Sequence, residues 1–247
     1  MNAAAIILGR AGSRGVPGKN TASLAGRACA QWTVDDALAA SSLDLVAVST
    51  DSPELLSIAR GRGVRAIERP ADLANDTARV DDAARHAVRA LELPREDRLI
   101  VVILYANVPV RPAGLIDRAI TLLRSSGADS VQSYARVGKH HPWWMARLDE
   151  GSARVRPWEG DLLNHGVFRR QDLPPAFIPD GGVLAVTLRA LEGRVHGAEE
   201  GPHHFLGVDR RGIETREGDV VDIDSPIDLM IADATLRART GGLHANR

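Results

Sequence analysis

Cysteine and lysine are both scarce in this sequence. Cys29 is the only cysteine among 247 residues, so no internal disulfide can form and a secreted, oxidising setting gains no support. Lys19 and Lys139 are the only lysines among 31 basic residues, a bias that coding-DNA base composition accounts for. An excess of one charge sign is missing too. The 31 basic residues face 32 acidic ones, and a net charge of −1 creates no field that would favour nucleic acid or an anionic membrane. The apolar opening up to Leu8 is too short to span a bilayer and has no basic stretch before it. Neither a signal peptide nor a membrane anchor is read there, and a cytoplasmic protein is expected. No internal repeat is visible.

The length of 247 residues and 44% hydrophobic content suit a single α/β domain, residues 1–247, with a sizeable core and a small excursion. Ala3 to Leu8 is an apolar run ending in glycines, as a buried first strand would. A helix is expected near Gln31 to Ala40, a strand over Leu43 to Thr50, and a short helix over Pro53 to Arg62 with proline at its start. Arg79 to Leu91 places Ala83, Ala84, Ala87, Val88 and Leu91 on one stripe. The run Arg98 to Leu104 has the strongest β character and is expected to be the central strand. Pro112 to Ser125 reads as an amphipathic helix, and Ala128 to Ala135 as the next strand. This alternation predicts a mostly parallel sheet covered on both faces.

Residues 137–180 break the pattern. They are rich in His, Pro, Trp and Arg without a long period, and an inserted arm is expected there. Trp143, Trp144 and Trp158 are read as arm or dimer packing, since the near-neutral charge argues against base stacking. His140 and His141, adjacent in an extended segment, point apart, and zinc is not expected without thiolates. The fold resumes with Gly182 to Thr187. Val220 to Asp224 reads as a strand leading into a last helix from Ser225, with Ile227, Met230, Ile231 and Ala234 as its apolar stripe. The tail from Thr240 is expected to fray.

The most informative segment follows the first strand: Leu8-Gly-Arg-Ala-Gly-Ser-Arg-Gly-Val-Pro-Gly-Lys-Asn20. Glycines at 9, 12, 15 and 18 let backbone amides approach a ligand, and Arg10, Arg14 and Lys19 supply cations. The position, at the carboxyl edge of a parallel sheet, is where such folds bind ligands. Neither the Rossmann glycine fingerprint nor a P-loop is present, because Gly-x-Gly-x-x-Gly is absent and Asn20 follows the lysine. A phosphate loop of a different design is expected. Further along, Asp222 and Asp224 lie two apart, so on a strand their carboxylates face one side and Ile223 the other. Two hard oxygen ligands suit Mg²⁺; the competing reading is a pair of surface carboxylates capping the next helix.

The loop resembles that of the CMP-sialic acid synthetases and related sugar-acid cytidylyltransferases, through Arg10, Ser13, Arg14, Gly15, Pro17, Lys19 and Asn20. The likeness continues at Val48-Ser-Thr-Asp51, Arg69-Pro-Ala-Asp-Leu-Ala-Asn-Asp-Thr-Ala78, His140-His-Pro142, Asp172 to Phe177, and Asp222-Ile-Asp224 followed by Asp228-Leu229. The resemblance implies a Rossmann-like nucleotidyltransferase with an inserted dimerisation arm. It also implies a reaction joining CMP from CTP to a sialic-acid-like sugar acid, with release of pyrophosphate. On this reading Leu8, Gly9, Arg10, Ser13, Arg14, Lys19, Asn20, Arg69 and Tyr105 contact the nucleotide, and Asp51 contacts it or a metal-bound water. Asp222 and Asp224 hold Mg²⁺ and act with Lys19 and Arg10 in catalysis. Arg111, Lys139, Arg170 and Asp180 face the acceptor, and the arm of residues 137–180 forms a homodimer that reaches the neighbouring site.

There are departures. The family's Gln-Pro-Thr-Ser-Pro-x-Arg is Tyr105-Ala-Asn-Val-Pro-Val-Arg111 here, its Arg-Pro-Asn-Gly is Ile178-Pro-Asp-Gly181, and Trp143-Trp144 follow His-His-Pro in place of a lysine. Either Lys139 and Arg170 replace the missing cations or the acceptor is not a standard sialic acid. Two alternatives therefore stay open: the same reaction with another acceptor (a phosphonate or other acid) or another nucleotide, and a catalytically silent nucleotide-binding scaffold. Intact Lys19, Asp222 and Asp224 speak against the scaffold.

Overall fold

A computed structural model describes residues 1–12 and 15–241; Ser13, Arg14 and the last residues of the expected tail lie outside the described residues. The chain runs through β1 (Ala3–Leu8), a small hairpin of β2 (Ser23–Leu24) and β3 (Arg27–Ala28), α1 (Cys29–Ala39), β4 (Leu45–Thr50), α2 (Pro53–Gly61), β5 (Arg65–Glu68), α3 (Val80–Ala90), β6 (Ile100–Tyr105), α4 (Leu115–Ser126) and β7 (Ser130–Arg136). A second hairpin follows, β8 (Ala146–Leu148) and β9 (Val155–Pro157), then β10 (Phe177–Thr187), α5 (Leu188–Leu191), β11 (Arg210–Thr215) and α6 (Pro226–Thr240).

Seven strands form one sheet in the order β11-β7-β10-β6-β1-β4-β5. β1 pairs parallel with β4 and β6, β4 with β5, and β7 with β11. Only β10 runs antiparallel, to both β6 and β7. It follows the arm instead of a crossover helix, and antiparallel neighbours need no crossover. The fold is α/β with a mostly parallel sheet. β6 occupies the middle position, as its apolar run predicts.

The alternation of side chains sorts each strand between two cores. Ala3, Ala5 and Ile7 join α1, α2 and α4 on one face, while Ala4, Ile6 and Leu8 join α3 and α5 on the other. Ile103 and Leu104 are fully buried, each contributing about 1.5–3 kcal/mol of transfer free energy. Local signals place the helices: Pro53 opens α2 behind Ser52, whose Oγ accepts from Leu55 N, and Gly127 at φ +67 ends α4 in a left-handed cap. Among the described residues no helix is long and apolar enough to cross a membrane.

Three expectations need correction. The excursion ends at Ala176, because Phe177 to Asp180 already belong to β10, where Phe177 pairs with Arg136. The strand expected over Val220 to Asp224 shrinks to a single bridge between Val221 and Val110, since no neighbouring strand extends far enough to pair with the rest. In α6 the predicted stripe faces solvent: Ile227 is 58% exposed and Met230 68%, while Ala232 and Leu236 are buried. The helix packs beside the β2–β3 hairpin and Trp32, a contact that selects the Leu229, Ala232 and Leu236 face. Thr240 is the last residue of that helix.

Candidate active site

β1 ends at Leu8 and the chain turns across the carboxyl edge of the sheet. Gly9 is required there, since a Cβ would lie 2.7 Å from Leu55 Cδ1 and 2.9 Å from Ala106 Cβ. Side chains then fasten the loop backbone. Asn20 Nδ2 donates to Arg10 O at 3.0 Å, and Ala11 N donates to Asp51 Oδ1 at 2.8 Å. Asp51 therefore holds the loop and does not line the cleft. Arg69 Nη2 donates to both Gly9 O and Ser49 O, joining the loop to β4. Its guanidinium is buried, and desolvation pulls its pKa down. Its Nε has no partner.

Leu8, Gly9, Arg10, Lys19, Asn20, Arg69 and Tyr105, residues far apart in sequence, line one cleft of about 260 Å³. Arg10 Nη1 meets Asp76 Oδ1 at 2.5 Å across it. Among its charged lining residues Arg10, Lys19, Arg69 and Arg79 outnumber Asp76, a balance that suits an anion of several charges. The Tyr105 phenol, pushed up to about 12 by burial and then by nearby Asp222, stays protonated as a donor.

The loop rests on the acidic segment. A Cβ on Gly15 would lie 2.3 Å from the Asp224 carbonyl oxygen. Gly15→Ala is therefore expected to lift the loop, weakening nucleotide binding about tenfold while the melting temperature barely changes, because the loop lies outside the core. A nucleotide titration by thermal shift measures both, and unchanged affinity would show that the loop tolerates the displacement.

Lys19 Nζ donates to Asp224 Oδ1 at 2.7 Å and to Ile223 O at 2.5 Å. Asn107 Nδ2 donates to Asp222 Oδ1 at 2.5 Å and to Ile223 O at 3.2 Å. Ile223 itself is fully buried and anchors the segment. Burial, and next the charge of Asp224, push Asp222 up to about 6, with Lys19 opposing. The competing reading holds for the cap itself, since Ser225 is the N-cap of α6 with Pro226 in its first turn, but neither Asp222 nor Asp224 supplies it. Asp228 Oδ2 accepts from Asp224 N, Ser225 N and Ser225 Oγ, so Asp228 serves α6 and leaves Asp222 and Asp224 to other work. Among the described residues no group of three or more His, Cys, Asp and Glu could hold a metal. Two carboxylates that repel each other and already attract an ammonium nevertheless fit Mg²⁺, which keeps waters and takes phosphate oxygens as its remaining ligands.

Other predicted residues stand elsewhere. Arg111 is buried, with Nη1 on Asp36 Oδ2 at 2.9 Å and Nε donating to Gly182 O at 3.1 Å. Asp180 accepts from Ser133 Oγ and Gly182 N on one oxygen and from Thr215 Oγ1 on the other, bracing the irregularity of β10 between Pro179 and Leu184. Neither lines the cleft: Asp180 is held by those three donors, and Arg111 is fixed through Nη1 and Nε while its buried Nη2 has no partner. Lys139 is exposed. Arg170 pairs with Glu217 at 2.9 Å in a separate depression beside Arg136 and Arg216. Neither lines the cleft of its own chain.

Sequence reasoning missed a second cavity of about 620 Å³, which shares Arg79, Val80 and Tyr105 with the first. Gln132 and Tyr134 of β7, Leu184 of β10, Phe205, Arg210 and the carboxylate of Asp81 are among its other walls. No short motif marks these residues; only strand pairing brings them together. Asn107 was missed as well, although it stands inside a segment already noted as unusual.

Residues 4–142 match a family model described as cytidylyltransferase. An N-acylneuraminate cytidylyltransferase of Streptococcus agalactiae is 31% identical over 182 residues, covering 72% of this chain and 42% of that protein. One from Oncorhynchus mykiss is 27% identical over 224 residues, covering 91% and 49%. The chain thus spans less than half the length of these relatives. Among solved structures, a CMP:2-keto-3-deoxy-manno-octonic acid synthetase complexed with CTP superimposes with a TM-score of 0.70 at 17% identity, covering 97% of this chain and 100% of that one. A 4-diphosphocytidyl-2C-methyl-D-erythritol synthase from Anaerococcus prevotii gives 0.64 at 13% identity.

Proposed function

The chain belongs to the cytidylyltransferase family, and on that premise we propose that it joins CMP from CTP to a sialic-acid-like sugar acid, releasing pyrophosphate. One observation carries the reading: two residues that line the loop cleft also hold the carboxylate pair, Lys19 bonding Asp224 and Asn107 bonding Asp222. An acceptor hydroxyl oxygen bonds to the α-phosphorus and releases its proton to solvent, the bond to the bridging oxygen breaks, and pyrophosphate leaves with the electron pair. Such a transfer needs positioning and charge stabilisation more than covalent help. Arg10 and Arg14 hold the outer phosphates, Lys19 faces the α-phosphate, and Arg69, which lines the same cleft, supports the nucleotide from below the loop. Asp222 and Asp224 would hold Mg²⁺, which when bound neutralises charge on the phosphates.

The second cavity is the acceptor side. Tyr105 and Val80 border both spaces; Arg210 offers a cation to an acid, and Arg79 is a second once it exchanges its ion pair with Asp81. Tyr134, Leu184 and Phe205 offer apolar surface for a less hydroxylated flank. A homodimer through the arm is part of this reading, supported by the exposure of Trp158 (53%) and Phe168 (84%). Use of CTP and a single buried cysteine suit a cytoplasmic setting.

A thermal-shift titration with CTP, ATP, GTP and UTP in the presence of Mg²⁺ tests the nucleotide half. A ligand bound only to the folded state raises the melting temperature. CTP alone should stabilise the protein, and Lys19→Ala should remove most of the shift. Selective stabilisation by another nucleotide would overturn the cytidine assignment. No response to any of the four would favour the silent scaffold.

A further inference from the structure

We propose that Lys19 is the resident counter-ion of the Asp222–Asp224 pair, weakening its hold on divalent cations until the phosphate of a nucleotide draws the ammonium away. The proposal rests on the nucleotide reading given above and adds a coupling between nucleotide and metal.

Three observations support it. The ammonium is already placed, 2.7 Å from Asp224 Oδ1 and 2.5 Å from Ile223 O. The Lys19 side chain is only 15% exposed whereas that of Asp224 is 75% exposed, so solvent reaches the carboxylate from the side the lysine leaves open. The seat is also built, because Gly15 packs against the Asp224 carbonyl and so fixes the loop to the acidic segment. The other described loop cation behaves differently: Arg10 turns to Asp76 and makes no bond to the pair.

The consequence is electrostatic. While Lys19 remains, a dication approaching Asp224 meets a unit positive charge at hydrogen-bond range, and Asp222 Oδ1 is occupied by Asn107. Lys19 also lines the nucleotide cleft, so a phosphate there competes for the same ammonium. Transfer of Lys19 from carboxylate to phosphate frees Asp224 Oδ1 and removes the positive charge beside it. Nucleotide and metal must then strengthen each other's binding by equal factors. Charge is conserved in the exchange, with the lysine neutralising phosphate and the dication neutralising carboxylate.

The test uses the full chain without acceptor. Mn²⁺ binding is titrated by electron paramagnetic resonance in the absence of nucleotide. Lys19→Met should bind Mn²⁺ about tenfold more tightly than the unmodified chain, as removal of one adjacent charge implies, and Arg10→Met should change little. Equal affinities for Lys19→Met and the unmodified chain would overturn the proposal. An equal gain in Arg10→Met would reduce it to a general charge effect, and so overturn it too. The exchange is read directly by nuclear magnetic resonance on ¹⁵N-lysine protein, where Lys19 and Lys139 are the only signals. CMP, whose single phosphate takes up little free metal, should move the Lys19 resonance and leave Lys139 in place. A Lys19 signal unmoved by CMP, in protein that CMP or CTP stabilises against heat, would overturn the exchange. Failure of both nucleotides to stabilise the protein would instead strike the nucleotide reading, and the nucleotide-free Mn²⁺ comparison would still decide the counter-ion role.

Discussion

Replacing Asp222 with Asn is expected to lower divalent-dependent pyrophosphate release by on the order of 10²–10³-fold, the loss that follows removal of one preorganised charge-stabilising group. Asp222 is the more buried of the pair. It is oriented by Asn107, whose amide can still donate to an asparagine at 222, so the variant keeps its local geometry. A stopped-time pyrophosphate assay across Mg²⁺ concentrations checks the expectation. Activity that survives with an unchanged metal requirement would remove Asp222 from the site.

The same variant should alter the pH dependence of stability. Burial and the charge of Asp224 push Asp222 up to about 6, above the ordinary carboxylate range. Between that range and about pH 6 the folded state binds more protons than the unfolded one, so this group's contribution is present at low pH and lost as pH rises through about 6. The metal-free chain should therefore lose melting temperature relative to Asp222→Asn between pH 5 and pH 7. Metal binding runs the other way, because the ligand is the carboxylate: Mn²⁺ affinity should fall as pH drops below about 6. Parallel melting curves for the two proteins would show that Asp222 does not titrate in this window.

Arg69→Met should have the second largest effect, weakening CTP binding by about 30-fold and lowering folding stability by ~2 kcal/mol. The methionine keeps an apolar stem but removes the donor to Gly9 O and Ser49 O. A buried carbonyl left without its partner costs about 1–3 kcal/mol. Ser49 O still accepts from Gly9 N at 3.3 Å, which limits the loss. Urea melts read the stability term and a CTP titration reads the site. Lost stability with unchanged CTP affinity would assign Arg69 to scaffolding alone.

Much of this protein is legible along the chain because its strongest signals are local. The apolar runs at Ala3 to Leu8 and Arg98 to Leu104, the proline at the start of α2 and the glycines of the loop each act within a few residues of where they stand. The same holds for Lys19 and the aspartate pair, whose residue types already state their chemistry. Reading failed where a long-range choice had to be made. α6 carries two apolar stripes, and only its contact with Trp32 and the β2–β3 hairpin decides that Leu229, Ala232 and Leu236 turn inward. Arg111 and Asp180 carry charges that sequence reasoning turns toward a ligand, yet Asp36, Gly182, Ser133 and Thr215 take up those charges inside the fold.

The sequence by itself determined the βα alternation, the place of the central strand, the glycine-rich cationic loop after β1 and the residue types of the carboxylate pair. These depend on periodicity and on chemistry carried by single residues. Tertiary structure alone decided that β10 runs antiparallel, that Asn107 grips Asp222, that Lys19 sits on Asp224, and that Gln132, Tyr134 and Arg210 share a cavity with Tyr105. Each of these joins residues tens to hundreds of positions apart. Such meetings are set by which strands pair and how closely the backbone packs, and no local pattern encodes them.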